Sequence, residues 1–83
     1  MKNAEFTLVD FGKRLRIERE KQGLTRIALA ELAQTEQGYI VQIERGDRSP
    51  SLKTFVNLLL ALNISSDSLI FGISESDKNK EEK

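Results

Sequence analysis

TRIALAELAQTEQGYIVQIERG, residues 25–46, holds two short helical patterns with almost nothing between them. Thr25 can N-cap the first, which reaches about residue 33. Ala28, Leu29, Ala30, Leu32 and Ala33 are good helix formers. Gln34-Thr35 leaves room only for a tight turn, and a second pattern covers about residues 36–44. Helices this short, joined this briefly, cannot lie antiparallel over much length; they cross steeply, as a helix-turn-helix does. Ala30 is small where they would cross. Ile40 and Ile43 lie three apart and point one face of the second helix inward. Gln37, Gly38, Val41 and Gln42 are left on its outer face. Gly38 costs a helix about 0.5–1 kcal/mol relative to alanine. Gln37 and Gln42 put uncharged amides where a solvated face more often carries Lys or Glu. That outer face calls for an explanation.

Punctuation divides the rest of the chain into three more helices. Leu8, Phe11 and Leu15 recur at the spacing of one helix face over residues 8–22, and Gly23 follows as a left-handed cap. Arg45 to Pro50 form a loop with Gly46 as the stop. Ser51 caps a helix over residues 52–62, with Leu52, Phe55, Leu59 and Leu62 as its apolar stripe and Asn63 in the left-handed position after it. Ser65 caps a short last helix that runs from residue 66 to 70 or 71. No internal repeat and no long alternating apolar pattern is present, so the fold class is all-α. The boundaries are a flexible N-terminus at 1–7, one domain at 8–73 and a disordered polar tail at 74–83.

The chain has 83 residues, one proline, no cysteine and no histidine. One small core is the expectation at this length. Disulfides, a thiol nucleophile and an ordinary zinc site are excluded, and no metal or cofactor is expected. No segment approaches the roughly 18 apolar residues of a membrane span, and no signal peptide is evident, so the expectation is a cytoplasmic protein without a membrane partner. Net charge is zero but uneven: residues 13–53 hold nine Lys/Arg against six acids, and residues 61–83 hold five acids against three bases. Charge alone does not announce a nucleic-acid ligand; the positions of the charges must.

At the level of motifs, FGKRLRIEREKQGLT, LAELA, GYIVQIERGDRSPSLKT and ALNISSDSLIFG resemble the helix-turn-helix family of phage Cro and repressor proteins and their bacterial relatives. The resemblance covers about sixty residues and touches all five helices. It implies a five-helix, lambda-repressor-like DNA-binding domain with the helix-turn-helix at helices two and three. The third helix would then be the recognition helix, laid in the major groove of double-stranded DNA.

On that resemblance the amides acquire a purpose. Glutamine donates and accepts together, so it can hold adenine through two hydrogen bonds, each good pair giving about 1–3 kcal/mol of discrimination. Gln37 and Gln42 occupy base-reading positions, Gln37 the stronger of the two. Gly38 lets backbone approach the DNA, and Val41 can touch a thymine methyl. Arg26, Tyr39, Arg45, Arg48, Ser49 and Lys53 are the expected phosphate contacts, with Lys13 and Arg14 weaker ones. The competing reading of Arg26 is a surface ion pair with an acid such as Glu31. Arg19 and Glu44 correspond to the family's internal ion pair between helix one and the end of helix three. Gln34 replaces the family's turn glycine, which calls for a helical or left-handed turn. Glu36 replaces a small hydroxyl residue, a role Thr35 can take over by lengthening the helix.

Family members usually pair near the last helix, so a homodimer is expected through Leu60, Leu69, Ile70, Phe71 and Ile73. Ile17, Ile27 and Leu32 are further apolar residues at positions usually polar. The function expected is that of a small stand-alone transcriptional regulator. The alternative is an antitoxin-like protein with a protein partner, regulating its own operon. Catalysis is not expected, because no His, no Cys and no cleft-sized architecture supplies acid-base or nucleophilic chemistry.

Overall fold

The computed structural model describes residues 6–72. They form five helices: α1 (Leu8–Lys21), α2 (Arg26–Leu32), α3 (Gln37–Glu44), α4 (Leu52–Leu62) and α5 (Ser66–Ile70). Three of the starts are fixed by hydroxyls. Thr7, Thr25 and Ser51 each accept the amide hydrogen three residues on, at 3.0, 3.0 and 3.2 Å. Just before α1, the Phe6 ring packs edge-on against Phe11. Ser65 occupies the N-cap position of α5 but makes no capping bond; its buried hydroxyl has no partner.

The helix ends share one device. After α1, α2, α3 and α4 the chain turns through Gly23, Gln34, Gly46 and Asn63, all at positive φ. At each, the following amide reaches back to a carbonyl five residues earlier, from Leu24 to Arg19, Thr35 to Ala30, Asp47 to Gln42 and Ile64 to Leu59. This pairing satisfies carbonyls that a helix end leaves open. Gln34, at φ 59°, is the costly case, since a left-handed residue with a Cβ loses about 1–2 kcal/mol. Polar side chains secure further ends: Asn57 donates to the Ala33 carbonyl, Gln22 to that of Leu62, and Arg14 to those of Leu69 and Ile70. Arg14 thus ties α1 to the end of α5, where the helix dipole favours a cation.

Leu15, Leu29, Ile40, Ile43, Leu58, Leu62 and Leu69 are fully buried and draw all five helices into one core, with Phe11 beside them. Two sequence expectations need correction. Leu52, assigned to the buried stripe of α4, is 76% exposed, and the buried face is instead Thr54, Leu58 and Leu62, with Phe55 and Leu59 partly covered. Leu69, assigned to an exposed pairing surface, lies wholly inside the core because the short α5 folds it inward. No described helix is long and apolar enough to cross a membrane.

One contact sets the placement of α3. The backbone of α1 at Gly12 runs against the last carbonyls of α3, so that a Cβ there would fall on the oxygens of Ile43 and Glu44. Only glycine permits this approach. The far end of α3 is thereby clamped to α1, and its near end is presented by the turn through Gln34.

Candidate nucleic-acid interface

With Ile40, Ile43 and Glu44 buried, α3 turns the opposite side outward. Gln37, Gly38 and Gln42 are exposed and Val41 is half-buried. The helix begins at Gln37, not 36, with Glu36 as an N-cap whose side chain makes no capping bond, and Thr35 does not extend it. The open amides of the first turn carry the positive end of the helix dipole. A Cβ on Gly38 would meet nothing within 4 Å. The fold therefore does not require glycine there, unlike at Gly12.

Tyr39 lies half-buried between α3 and α4. Its hydroxyl accepts the Ser51 amide hydrogen at 2.9 Å, which fixes the ring at the start of α4. That hydrogen bond stabilises the phenolate and lowers the tyrosine pKa below its ordinary value, helped by Thr54 and the nearby Arg48 charge. The Arg48 guanidinium lies over the ring, 4.6 Å from its centroid. From there its Nη1 donates to Gln42 Oε1 at 3.3 Å. Gln34, Thr35, Glu36, Gly38, Tyr39, Gln42 and Arg48 line one open concavity of about 530 Å³. Arg45, exposed, pairs with Asp47 at 3.3 Å. Ser49 and Lys53 are exposed beside them.

Behind this surface sits a buried carboxylate between two guanidinium groups. Arg19 donates Nε to Glu44 Oε2 at 2.7 Å and Nη2 to Oε1 at 3.2 Å. A third Arg19 bond reaches the Leu24 carbonyl. The hydrogen bond to Glu44 raises the Arg19 pKa, against the opposing effect of burial. Arg26 donates Nε to Glu44 Oε1 at 3.0 Å while its side chain stays 40% exposed. Its acidic partner is thus Glu44, not Glu31. One edge of the Arg26 guanidinium is anchored and the remaining N–H groups are left for an outside acceptor.

The structure brings together Gln37, Gly38, Val41, Gln42, Tyr39 and Arg48 on and beside one helix face, with Arg26 at the start of α2 behind it. Arg14, expected as a weaker phosphate contact, is committed to α5 instead. The stacking of Arg48 on Tyr39 had no signal in spacing, since the loop that returns Arg48 to α3 follows no periodic pattern. Gly12 could have been noticed as a glycine inside a strong helical pattern. Among the described residues no group of three or more acidic side chains is arranged to hold a metal ion. The surface offers amide, guanidinium and hydroxyl donors, a chemistry suited to phosphate oxygens and base edges.

A helix-turn-helix family model matches residues 15–69. Among solved structures, the chain is similar to the restriction-modification controller protein C.AhdI from Aeromonas hydrophila, at 40% identity and a TM-score of 0.73, over 76% of this chain and 96% of that one. It is also similar to the P22 c2 repressor protein, solved with a synthetic operator, at 31% identity and a TM-score of 0.71, over 75% and 94%. The N-terminal DNA-binding domain of SinR from Bacillus subtilis is 28% identical with a TM-score of 0.67, over 71% and 87%. No curated protein sequence gives a significant match.

Proposed function

Because the chain belongs to the helix-turn-helix family of DNA-binding transcription regulators, of the Cro and C1 repressor type, we propose that it recognises a specific duplex sequence through the outer face of α3. The recognition helix lies in the major groove, with Gln37, Gly38, Val41 and Gln42 toward the base edges. Arg26, Tyr39, Arg45, Arg48, Ser49 and Lys53 hold it against the phosphates. The observation that carries this reading is the contrast between two glycines. Gly12 is required by the packing of the fold, whereas Gly38 weakens an exposed helix with no neighbour to accommodate. A duplex lying close against the backbone of α3 supplies the missing reason.

The regulator acts as a homodimer, and its pairing surface differs from the sequence expectation. Leu52, Val56 and Leu60 are exposed and spaced four apart, so they form one apolar ridge along α4. Leu52 and Ile70 meet in an apolar groove of about 290 Å³, which Phe6 and Phe55 also line. Phe71, next to Ile70, is 57% exposed. Leu60, Ile70 and Phe71 remain in the surface, Leu52 and Val56 join it, and Leu69 leaves it. Ile73 lies outside the described residues. Two such copies would meet half-sites about 34 Å apart.

The test is enrichment of duplexes from a random pool, followed by sedimentation of the protein alone and with the enriched duplex. A palindromic sequence bound by two copies supports the reading. Absence of any enriched duplex from folded protein rules it out, and binding as a monomer rules out the dimer. A protein partner of the antitoxin kind has no separate observation in its favour.

A further inference from the structure

Glu44 is the last residue of α3, and its side chain is 3% exposed. Oε2 accepts from Arg19 Nε, while Oε1 accepts from both Arg19 Nη2 and Arg26 Nε, at 3.2 and 3.0 Å. Arg19 alone reaches both oxygens and cancels the charge of Glu44. Arg26 is therefore a second cation on a carboxylate already neutralised. It is also the first residue of α2, where the helix dipole disfavours a positive charge. We propose that Glu44 is a positioning residue for DNA binding: it holds the Arg26 head group through Nε and leaves the Nη groups as a fixed fork for one phosphate.

A guanidinium carries five N–H donors in one rigid plane. The bond to Glu44 uses the Nε donor of Arg26. Its four Nη donors have no acceptor among the hydrogen bonds of the described residues, and the side chain keeps 40% exposure, so a ligand can reach it. Two such donors match two phosphate oxygens. An unanchored arginine loses rotamer freedom when it grips a phosphate. Here the fold has already restricted the head group, so less is lost on binding. Anchoring does not cancel the attraction either, because two guanidinium groups and one carboxylate leave one positive charge. The stem of Arg26 belongs to α2 and its anchor to α3, so a gripped phosphate bears on both helices of the helix-turn-helix. Lysine at this position would keep the charge without the planar fork, and could not hold carboxylate and phosphate in the same way.

The proposal rests on the DNA-binding reading above, and the experiment separates the two. Affinity for a duplex enriched from a random pool by the parent is measured by fluorescence anisotropy over a range of salt. The proteins are the parent, Arg26→Lys, Arg26→Ala, Glu44→Gln and Glu44→Gln combined with Arg26→Ala, each checked for folding by circular dichroism. Arg26→Lys is expected to keep the parent's salt slope, since its charge is unchanged, and to bind about three- to tenfold more weakly, the cost of ordering one long side chain. Glu44→Gln offers one amide oxygen to the three N–H groups that the carboxylate now satisfies. It removes a negative charge, which by itself would tighten binding, yet loss of the anchor is expected to weaken it. In the Arg26→Ala background Glu44→Gln should cause no further loss. A purely structural Glu44 would weaken both backgrounds alike, and that result overturns the proposal. So does an Arg26→Lys protein with the parent's affinity, which decides the matter alone if Glu44→Gln does not fold. Neither result touches the DNA-binding reading, which fails only if the parent enriches no duplex.

Discussion

Arg19 and Glu44 stand 25 residues apart in sequence and meet as a two-pronged ion pair with almost no exposure, the shorter contact being 2.7 Å. Arg26 joins the same carboxylate from the exposed side. Glu44 therefore connects three parts of the molecule: α1, the start of α2 and the end of α3. Removing one partner leaves a buried charge uncompensated, which costs about 3–5 kcal/mol. Arg19→Ala is expected to lower stability by that amount in chemical denaturation. Arg26→Ala, which leaves the inner pair intact, is expected to cost less than about 1 kcal/mol, the range of exposed ion pairs. Equal losses for the two variants would contradict the division between inner and outer arginine.

Gly12→Ala is the sharpest test of how α3 is placed. Alanine favours the helix by about 1 kcal/mol, but its Cβ would overlap the carbonyl oxygens of Ile43 and Glu44. Overpacking of this kind costs about 1–3 kcal/mol, and here the obstacle is backbone. Net destabilisation on thermal unfolding is expected. A stabilised variant would mean that α1 and α3 pass farther apart than described.

Gly38→Ala reverses that expectation. The added methyl group meets open space, so the helix should gain about 0.5–1 kcal/mol. Binding to the selected duplex should weaken, because the methyl group would stand between the α3 backbone and the duplex proposed to lie against it. Greater stability with lower affinity is the outcome to look for, measured by melting and by fluorescence anisotropy on the same sample. Unchanged affinity would remove the close approach at this position.

The five helices were legible in the sequence because each carries its own punctuation. Thr25, Ser51, Gly23, Gly46 and Asn63 act locally, through a cap or a positive φ, and local signals survive in sequence. The outer face of α3 was legible for a related reason: Ile40 and Ile43 fix the inner side, and the exposed residues follow by rotation. What sequence could not carry were relationships between helices. Leu52 looks like part of a stripe with Phe55 and Leu62, yet only packing decides that Leu58 faces inward and Leu52 faces out. Leu69 and Ile70 are adjacent, and the direction of a one-turn helix decides which is buried. Arg14, Arg26 and Arg48 were all visible as cations. Whether a long side chain meets a phosphate, a carbonyl or a carboxylate depends on which element comes within its reach.

Tyr39 gives the proposed DNA-binding face a pH dependence. Its pKa is lowered from the ordinary value of 10.0, chiefly by the Ser51 amide. The folded value is the lower one, so ionisation favours the folded state as pH rises through it. A phenolate beside phosphate is repulsive, however. Affinity for DNA should therefore fall on the alkaline side at a pH below that of ordinary tyrosine ionisation, while the fold persists. Tyr39→Phe should abolish this fall. Binding isotherms at several alkaline pH values, with circular dichroism as the control for folding, check it. An identical alkaline fall in Tyr39→Phe would assign the effect to another group.

The central claim, that α3 reads base edges while cations hold the phosphates, is tested most directly by the salt dependence of binding to the selected duplex and to a scrambled one, for the parent, Gln37→Ala and Arg26→Ala. For the parent, the logarithm of the binding constant should fall linearly with the logarithm of salt concentration. Arg26→Ala should weaken both duplexes alike and reduce the slope by about one. Gln37→Ala should keep the parent's slope and lose about 1–3 kcal/mol of discrimination at one base pair in each half-site. Binding without salt dependence, or a Gln37→Ala protein with the parent's full preference, would contradict the claim.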